Sequence, residues 1–284
     1  MKSTLLHMLK ELRLSGLMNS LEVRLQEATS NRLTHAEFLE LILQDEMSVR
    51  DDRQVERRTR LACFRDQKTL DEFDWDFNRT IRRKLFYDLA SGEFVRQHRD
   101  VLLVGPPGVG KSHLAQAIGR ELIRSGVTVF YRSIFGAVRD LLHDEAFEGH
   151  EKAMARYLKP DLLILDDMGM KQLPKKSGEF LFEIIMRRHE LRSTMMTSNR
   201  PLEDWGKLIG DVPAATAILD RFLESAEVIQ ITGRSFRLRG HQADKNEGVS
   251  EEQPEESDSK PATSKTGQTR TPGQAEKTTR KPSK

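Results

Sequence analysis

Eight consecutive residues, GPPGVGKS at 105–112, carry the densest chemical signal in this chain of 284 residues. Gly105, Gly108 and Gly110 keep side chains out of a turn, so backbone N–H groups can close directly on an anion. Lys111 then adds a cation and Ser112 a hydroxyl. The spacing G-x-x-x-x-G-K-[ST] is that of a phosphate cradle, whose lysine reaches the β- and γ-phosphates and whose hydroxyl ligates Mg²⁺. The loop from Gly105 through Pro106, Pro107, Gly108, Val109, Gly110, Lys111 and Ser112 to His113 is assigned to ATP, and Ser112 also to Mg²⁺.

Two further stretches can act on what the cradle holds. LLILDD at 162–167 delivers Asp166 and Asp167 after an unbroken apolar run. A carboxylate at a strand end beside a phosphate cradle suits Mg²⁺, and a second one suits a water molecule that attacks the γ-phosphate. Asp166 is therefore expected at the metal and Asp167 at the water. STMMTSNR at 193–200 ends a further β-branched and apolar run in Thr197, Ser198 and Asn199, whose polar groups can position water and report nucleotide state.

These residues need a frame that brings them to one edge. VLLV (101–104), VTVFYRS (127–133), LLILDD (162–167), STMMTSN (193–199) and EVIQIT (227–232) alternate with helix-length segments, which predicts an α/β fold: a parallel five-stranded sheet covered by helices on both faces. Ligands of such sheets collect at the carboxyl ends of the strands. Residues 1–75 read as helical, with Leu5, Met8, Leu9 and Leu12 at helical spacing and a capping-box start at Thr34 and Glu37. The expected organisation is a helical N-terminal partner- or DNA-docking domain at 1–75, a connecting segment at 76–94, the nucleotide-binding domain at 95–240 and a polar tail at 241–284. That tail has no aromatic residue, Leu, Ile or Met, and is expected to be disordered.

The net charge of +2 gives no global attraction to nucleic acid, so any basic surface is local. Arg132 and Arg139, between the second and third strand runs, and Lys171, Lys175 and Lys176, in the loop after the paired aspartates, are candidates for the phosphates of double-stranded DNA. Aromatic residues are 6% of the chain, which favours duplex backbone contact over base stacking. The one cysteine, Cys63, excludes an internal disulfide. The N-terminus is amphipathic and no run is apolar enough for a membrane span, so a soluble, cytoplasmic protein without membrane contact is expected.

With these motifs in order, the sequence resembles the AAA+ ATPases and, within them, the IstB-like and DnaC-like proteins. The likeness lies in SGEFVRQHRDVLLVGPPGVGKSHLAQAIG, LLILDDMG, TSNR before Pro201 and ILDRF, and it covers roughly residues 1–240. It implies a P-loop NTPase fold of AAA+ type. It assigns Asn199 to the sensor-1 position, Arg221 to the arginine finger that acts across a subunit interface, and Arg237 to a sensor-2-like position. Catalysis would then fall to Asp167, Asn199 and Arg221. Asp167 departs from the Glu of most AAA+ enzymes, which implies slow or partner-stimulated hydrolysis.

The resemblance implies a transposition helper, an ATP-dependent homo-oligomer joined through ATP-bridged interfaces that binds target DNA and recruits or activates the transposase of the same insertion sequence. A DnaC-like replicative helicase loader is the alternative within the clade. Outside it stand a P-loop kinase, which the paired aspartates, Asn199 and Arg221 argue against, and an ATP-switched DNA-binding module with almost no turnover.

Overall fold

A computed structural model describes residues 3–147, 149–170, 172–174 and 177–238. The tail at 241–284 lies outside the described residues. Three helices open the chain: α1 (Ser3–Glu11), α2 (Ser15–Asn31) and α3 (His35–Ala62). The capping box at α3 is present, with Glu37 N donating to Thr34 Oγ1 at 3.3 Å and Thr34 N donating to Glu37 Oε2 at 2.7 Å. Helices α2 and α3 pack through Leu17, Leu21 and Ile42, with Leu9 of α1 closing the cluster. Glu46 of α3 is buried and accepts from Leu17 N at 3.0 Å, so α3 caps the start of α2. Met8 of α1, Leu12 just beyond it, and Leu39 and Met47 of α3 are exposed.

The helical reading of residues 1–75 stops at Ala62. Cys63 takes a left-handed φ of +56° and ends α3. Residues 63–82 contain no regular helix. Their aromatic residues Phe64, Phe73 and Trp75 pack against the core of the nucleotide-binding part instead of following a helical period. Two short helices, α4 (Arg83–Ala90) and α5 (Glu93–Arg96), then lead into the sheet.

The sheet consists of β1 (Asp100–Val104), β2 (Val129–Ser133), β3 (Leu162–Met168), β4 (Ser193–Ser198) and β5 (Ala226–Gln230), all parallel, in the order β2-β3-β4-β1-β5. The five runs read from the sequence are these strands. The apolar runs are continuous because both faces are covered. On one face Val101, Leu103, Leu162 and Ile164 meet α6 (Lys111–Arg124), α4 and the 63–82 segment; on the other Leu102, Leu163 and Leu165 meet the helices α7 (Ile134–Phe147), α8 (His150–Leu158), α9 (Ser177–Arg188), α10 (Trp205–Ile209) and α11 (Val212–Ser225). At the amino edge of the sheet the buried Arg188 donates to the carbonyls of Tyr157, Pro160 and Ser193 and to Thr194 Oγ1. Asp100, also buried there, accepts from Thr194 N at 2.6 Å and Ser225 Oγ at 3.0 Å. Burial pushes the Asp100 carboxyl up to about 6. Among the described residues no helix is long and apolar enough to cross a membrane.

Candidate nucleotide site

The carboxyl ends of β1, β3 and β4 meet around one cavity of about 690 Å³, within the size range of small-molecule sites. Its floor is the turn between β1 and α6. A Cβ at Gly105 would stand 2.0 Å from the Ile231 carbonyl oxygen beyond β5, so the turn approaches that backbone as only glycine allows. Gly110 has φ +102° and is the N-cap of α6, and a Cβ there would stand 2.5 Å from the Phe73 ring. The first turn of α6 therefore opens its backbone N–H groups and its positive dipole end toward the cavity.

Lys111 is buried and donates from Nζ to the carbonyl oxygens of Gly105 at 2.7 Å and Pro106 at 2.8 Å. Its charge is thus held by dipoles of its own loop. Burial pulls its pKa down to about 8, against the opposing pull of Asp166 and Asp167. Ser112 Oγ donates to Asp166 Oδ1 at 2.8 Å. Asp166 is fully buried and also accepts from the hydroxyls of Thr197 and Tyr131, the latter at 2.5 Å. This hydroxyl–carboxylate pair is a hard oxygen set of the kind that suits Mg²⁺, an ion that uses one or two carboxylates and takes its remaining ligands from phosphate and water. Among the described residues no cluster of three or more His, Cys, Asp and Glu side chains offers a metal cage of its own.

Asp167 sits at an irregularity of the β3–β4 pairing with φ +66°, a conformation that costs a non-glycine residue free energy. Thr197 fixes it, accepting from Asp167 N at 3.0 Å. Burial and the neighbouring Asp166 push the Asp167 carboxyl up, while Arg65 pulls it back. Arg65 Nη1 donates to Asp167 Oδ2 at 3.1 Å.

Asn199 lines the cavity at the end of β4, its backbone N–H bonded to Met168 O at 2.8 Å. Arg237 lines it from the short 3₁₀ turn Phe236–Leu238 that follows β5. His113 lines it from α6, with Nε2 2.8 Å from the Thr69 carbonyl oxygen, and burial lowers its pKa. Arg221 is not among the lining residues; it is exposed on α11, with Nη1 3.3 Å from Glu224 Oε2.

Of the candidate DNA-contacting residues, Arg132 and Arg139 do not line the cavity. Arg132 spends its guanidinium fork on Asp140, at 2.7 and 2.8 Å. Arg139 is exposed on α7. Lys171, Lys175 and Lys176 lie outside the described residues.

Sequence reading missed the fourth wall of the cavity. Phe73, Phe77 and Asn78 of the 63–82 segment line it together with Phe236. Asn78 Nδ2 donates to the Arg234 carbonyl oxygen at 3.1 Å and Asn78 Oδ1 accepts from Arg234 N at 3.0 Å, which ties this segment to the stretch after β5. The available signal was three aromatic residues within five positions, Phe73, Trp75 and Phe77, in a chain poor in them.

A family model described as IstB-like ATP binding protein matches residues 7–244. An ATP-binding protein of insertion sequence IS21 from Pseudomonas aeruginosa is 34% identical over 232 residues, 82% of this chain and 88% of its own length. An ATP-binding protein in an insertion sequence of Mycobacterium tuberculosis is 32% identical over 232 residues, 81% of this chain and 92% of its own. AMPPCP-bound DnaA from Aquifex aeolicus has a TM-score of 0.51 at 20% identity, covering 65% of this chain and 56% of that one, a likeness of fold. The family match takes in the N-terminal helices α1–α3, which form a helical arm, the cradle and the paired aspartates in one span, and this chain belongs to the IstB-like ATP-binding proteins.

Proposed function

We propose that the protein is an ATPase that assembles on double-stranded DNA and recruits or activates the transposase of its own insertion sequence. The observation that carries the nucleotide half is the meeting of Lys111, Ser112, Asp167 and Asn199 around one cavity, with the buried Asp166 joined to it through Ser112. The transposition half rests on relatives named as ATP-binding proteins of insertion sequences.

In this reading the N–H groups at the start of α6 and the Lys111 ammonium hold the β- and γ-phosphates, with Lys111 exchanging its loop carbonyls for phosphate oxygens. Ser112 and Asp166 would hold Mg²⁺, which when bound neutralises charge developing on the phosphates. Tyr131 and Thr197 fix the Asp166 carboxylate. Asp167 orients the attacking water and accepts its proton, Asn199 positions that water, and Arg237 adds a cation from the same chain. Phe73, Phe77 and Phe236 give the rest of the nucleotide an apolar wall. The exposed Arg221 serves the pocket of a neighbouring protomer, where a planar guanidinium stabilises the charge spread over the γ-oxygens.

DNA contact is assigned to Arg139 and to Lys171, Lys175 and Lys176; Arg132 joins them only by giving up Asp140. The arm, on which Met8, Leu12, Leu39 and Met47 are exposed, is assigned to partner docking. Sedimentation of the full chain tests the whole reading. ATP with Mg²⁺ should convert it to an oligomer that co-sediments with duplex DNA, and Lys111→Ala should not. A chain that stays monomeric and indifferent to DNA at saturating ATP contradicts it.

A further inference from the structure

Residues 64–66, which follow the end of α3, each engage a different part of the site. Phe64 packs against Tyr131, the partner of Asp166, with ring centroids 6.0 Å apart, and against Gly119 of α6, where a Cβ would meet its ring at 2.9 Å. Arg65 pairs with Asp167 at 3.1 Å. Asp66 N donates to Gln116 Oε1 at 2.9 Å, and Gln116 Nε2 donates in turn to the Ser112 carbonyl oxygen at 3.1 Å. The left-handed Cys63 turns the chain from the arm into this position. Arg65 forms an ion pair with Asp167, whereas Arg237, from the turn after β5, acts on it through its charge without such a pair.

We propose that Arg65 is a positioning residue that acts through Asp167: the end of the helical arm holds the second carboxylate in an ion pair and thereby restrains turnover until the arm shifts. This rests on the reading of Asp167 as the group that takes the proton of water. The carboxylate oxygen engaged by the guanidinium is taken up by that contact instead of facing a water, and its side chain is tethered toward the arm. The pair is also built to be broken. The Arg65 side chain is 47% exposed and shares its charge with Asp66, and partly exposed pairs are weak enough for a modest competing contact to displace. Whatever docks on the arm and moves α3 would then reach Asp167 through three adjacent residues.

The test uses the full chain with Arg65→Ala, Arg65→Lys, Asp167→Asn and the double variant Arg65→Ala/Asp167→Asn, measured without DNA. Steady-state turnover is read beside the dissociation constant of the non-hydrolysable analogue AMPPCP and hydrogen exchange across 63–66. Arg65→Ala should raise kcat about fivefold, the factor a partly exposed ion pair corresponds to, with KM and AMPPCP affinity unchanged and faster exchange at 63–66. Arg65→Lys should stay near the parent. An Arg65→Ala kcat that is unchanged or lower overturns the proposal, and so does a rise that persists in the double variant. Should Arg65→Ala not fold, Arg65→Gln carries the same expectation. Turnover retained by Asp167→Asn alone would instead refute the role given to Asp167, and loss of AMPPCP binding by the parent would refute the nucleotide site.

Discussion

At the scale of single residues the site is a set of charges held by each other and by backbone dipoles before any phosphate arrives. Lys111 is bound by two carbonyls of its own loop, so the cradle is folded and the lysine needs only to change acceptors. Removing the ammonium as Lys111→Ala should weaken ATP binding by at least about 2 kcal/mol, roughly thirtyfold, the scale of hydrogen bonds to a charged group. Equilibrium titration with a fluorescent ATP analogue reads this directly. Asp167→Asn should leave that affinity in place and lower kcat by about 10²- to 10⁴-fold, the range for loss of a general base. The cradle residues were legible in the sequence because they are contiguous and their spacing alone specifies their chemistry. Arg65 and Tyr131 were not. They reach Asp167 and Asp166 across 102 and 35 positions, and nothing in their local context distinguishes them from a solvated arginine and a core tyrosine.

Elements position these residues through the sheet, and the strength of that frame lies at the edge opposite the site. Arg188 satisfies carbonyls at the ends of α8 and β3's approach as well as β4, so Arg188→Leu leaves several buried acceptors without a donor. It should cost at least about 3 kcal/mol and lower Tm by several degrees in thermal unfolding. Asp100 behaves differently with pH. Its native pKa of about 6 lies above the ordinary value of an unfolded aspartate, so the native state binds the extra proton. Its stabilising contribution is full below about pH 4 and is lost as pH rises through 6, a change of about 2 to 3 kcal/mol. Asp100→Asn removes this slope: the stability of the variant relative to the parent should climb between pH 4 and 7 in denaturant titrations, and a flat difference would contradict the assignment. The five strands were legible as apolar runs between helix-length segments. The 63–82 segment was not, because its structure is fixed by aromatic contacts with distant residues and no repeat in its own sequence records them.

For the molecule as a whole, the arm, the sheet and the nucleotide cavity belong to one span that matches a single family. Net charge near zero means that DNA affinity has to come from local cations, each phosphate contact adding about −0.9 to the slope of log K against log salt. Binding to duplexes of unrelated sequence should therefore weaken alike as salt rises, and a slope near zero would remove DNA from the account. In the proposed function a nucleotide held by one protomer is completed by Arg221 of the next. Mixing Arg221→Ala with Asp167→Asn subunits tests it most directly, since each variant alone should lose on the order of a thousandfold in kcat. ATP turnover should reappear in the mixture and peak near equal proportions, because mixed interfaces pair an intact Asp167 with an intact Arg221. Turnover that stays at the level of the separate variants at every ratio would contradict it.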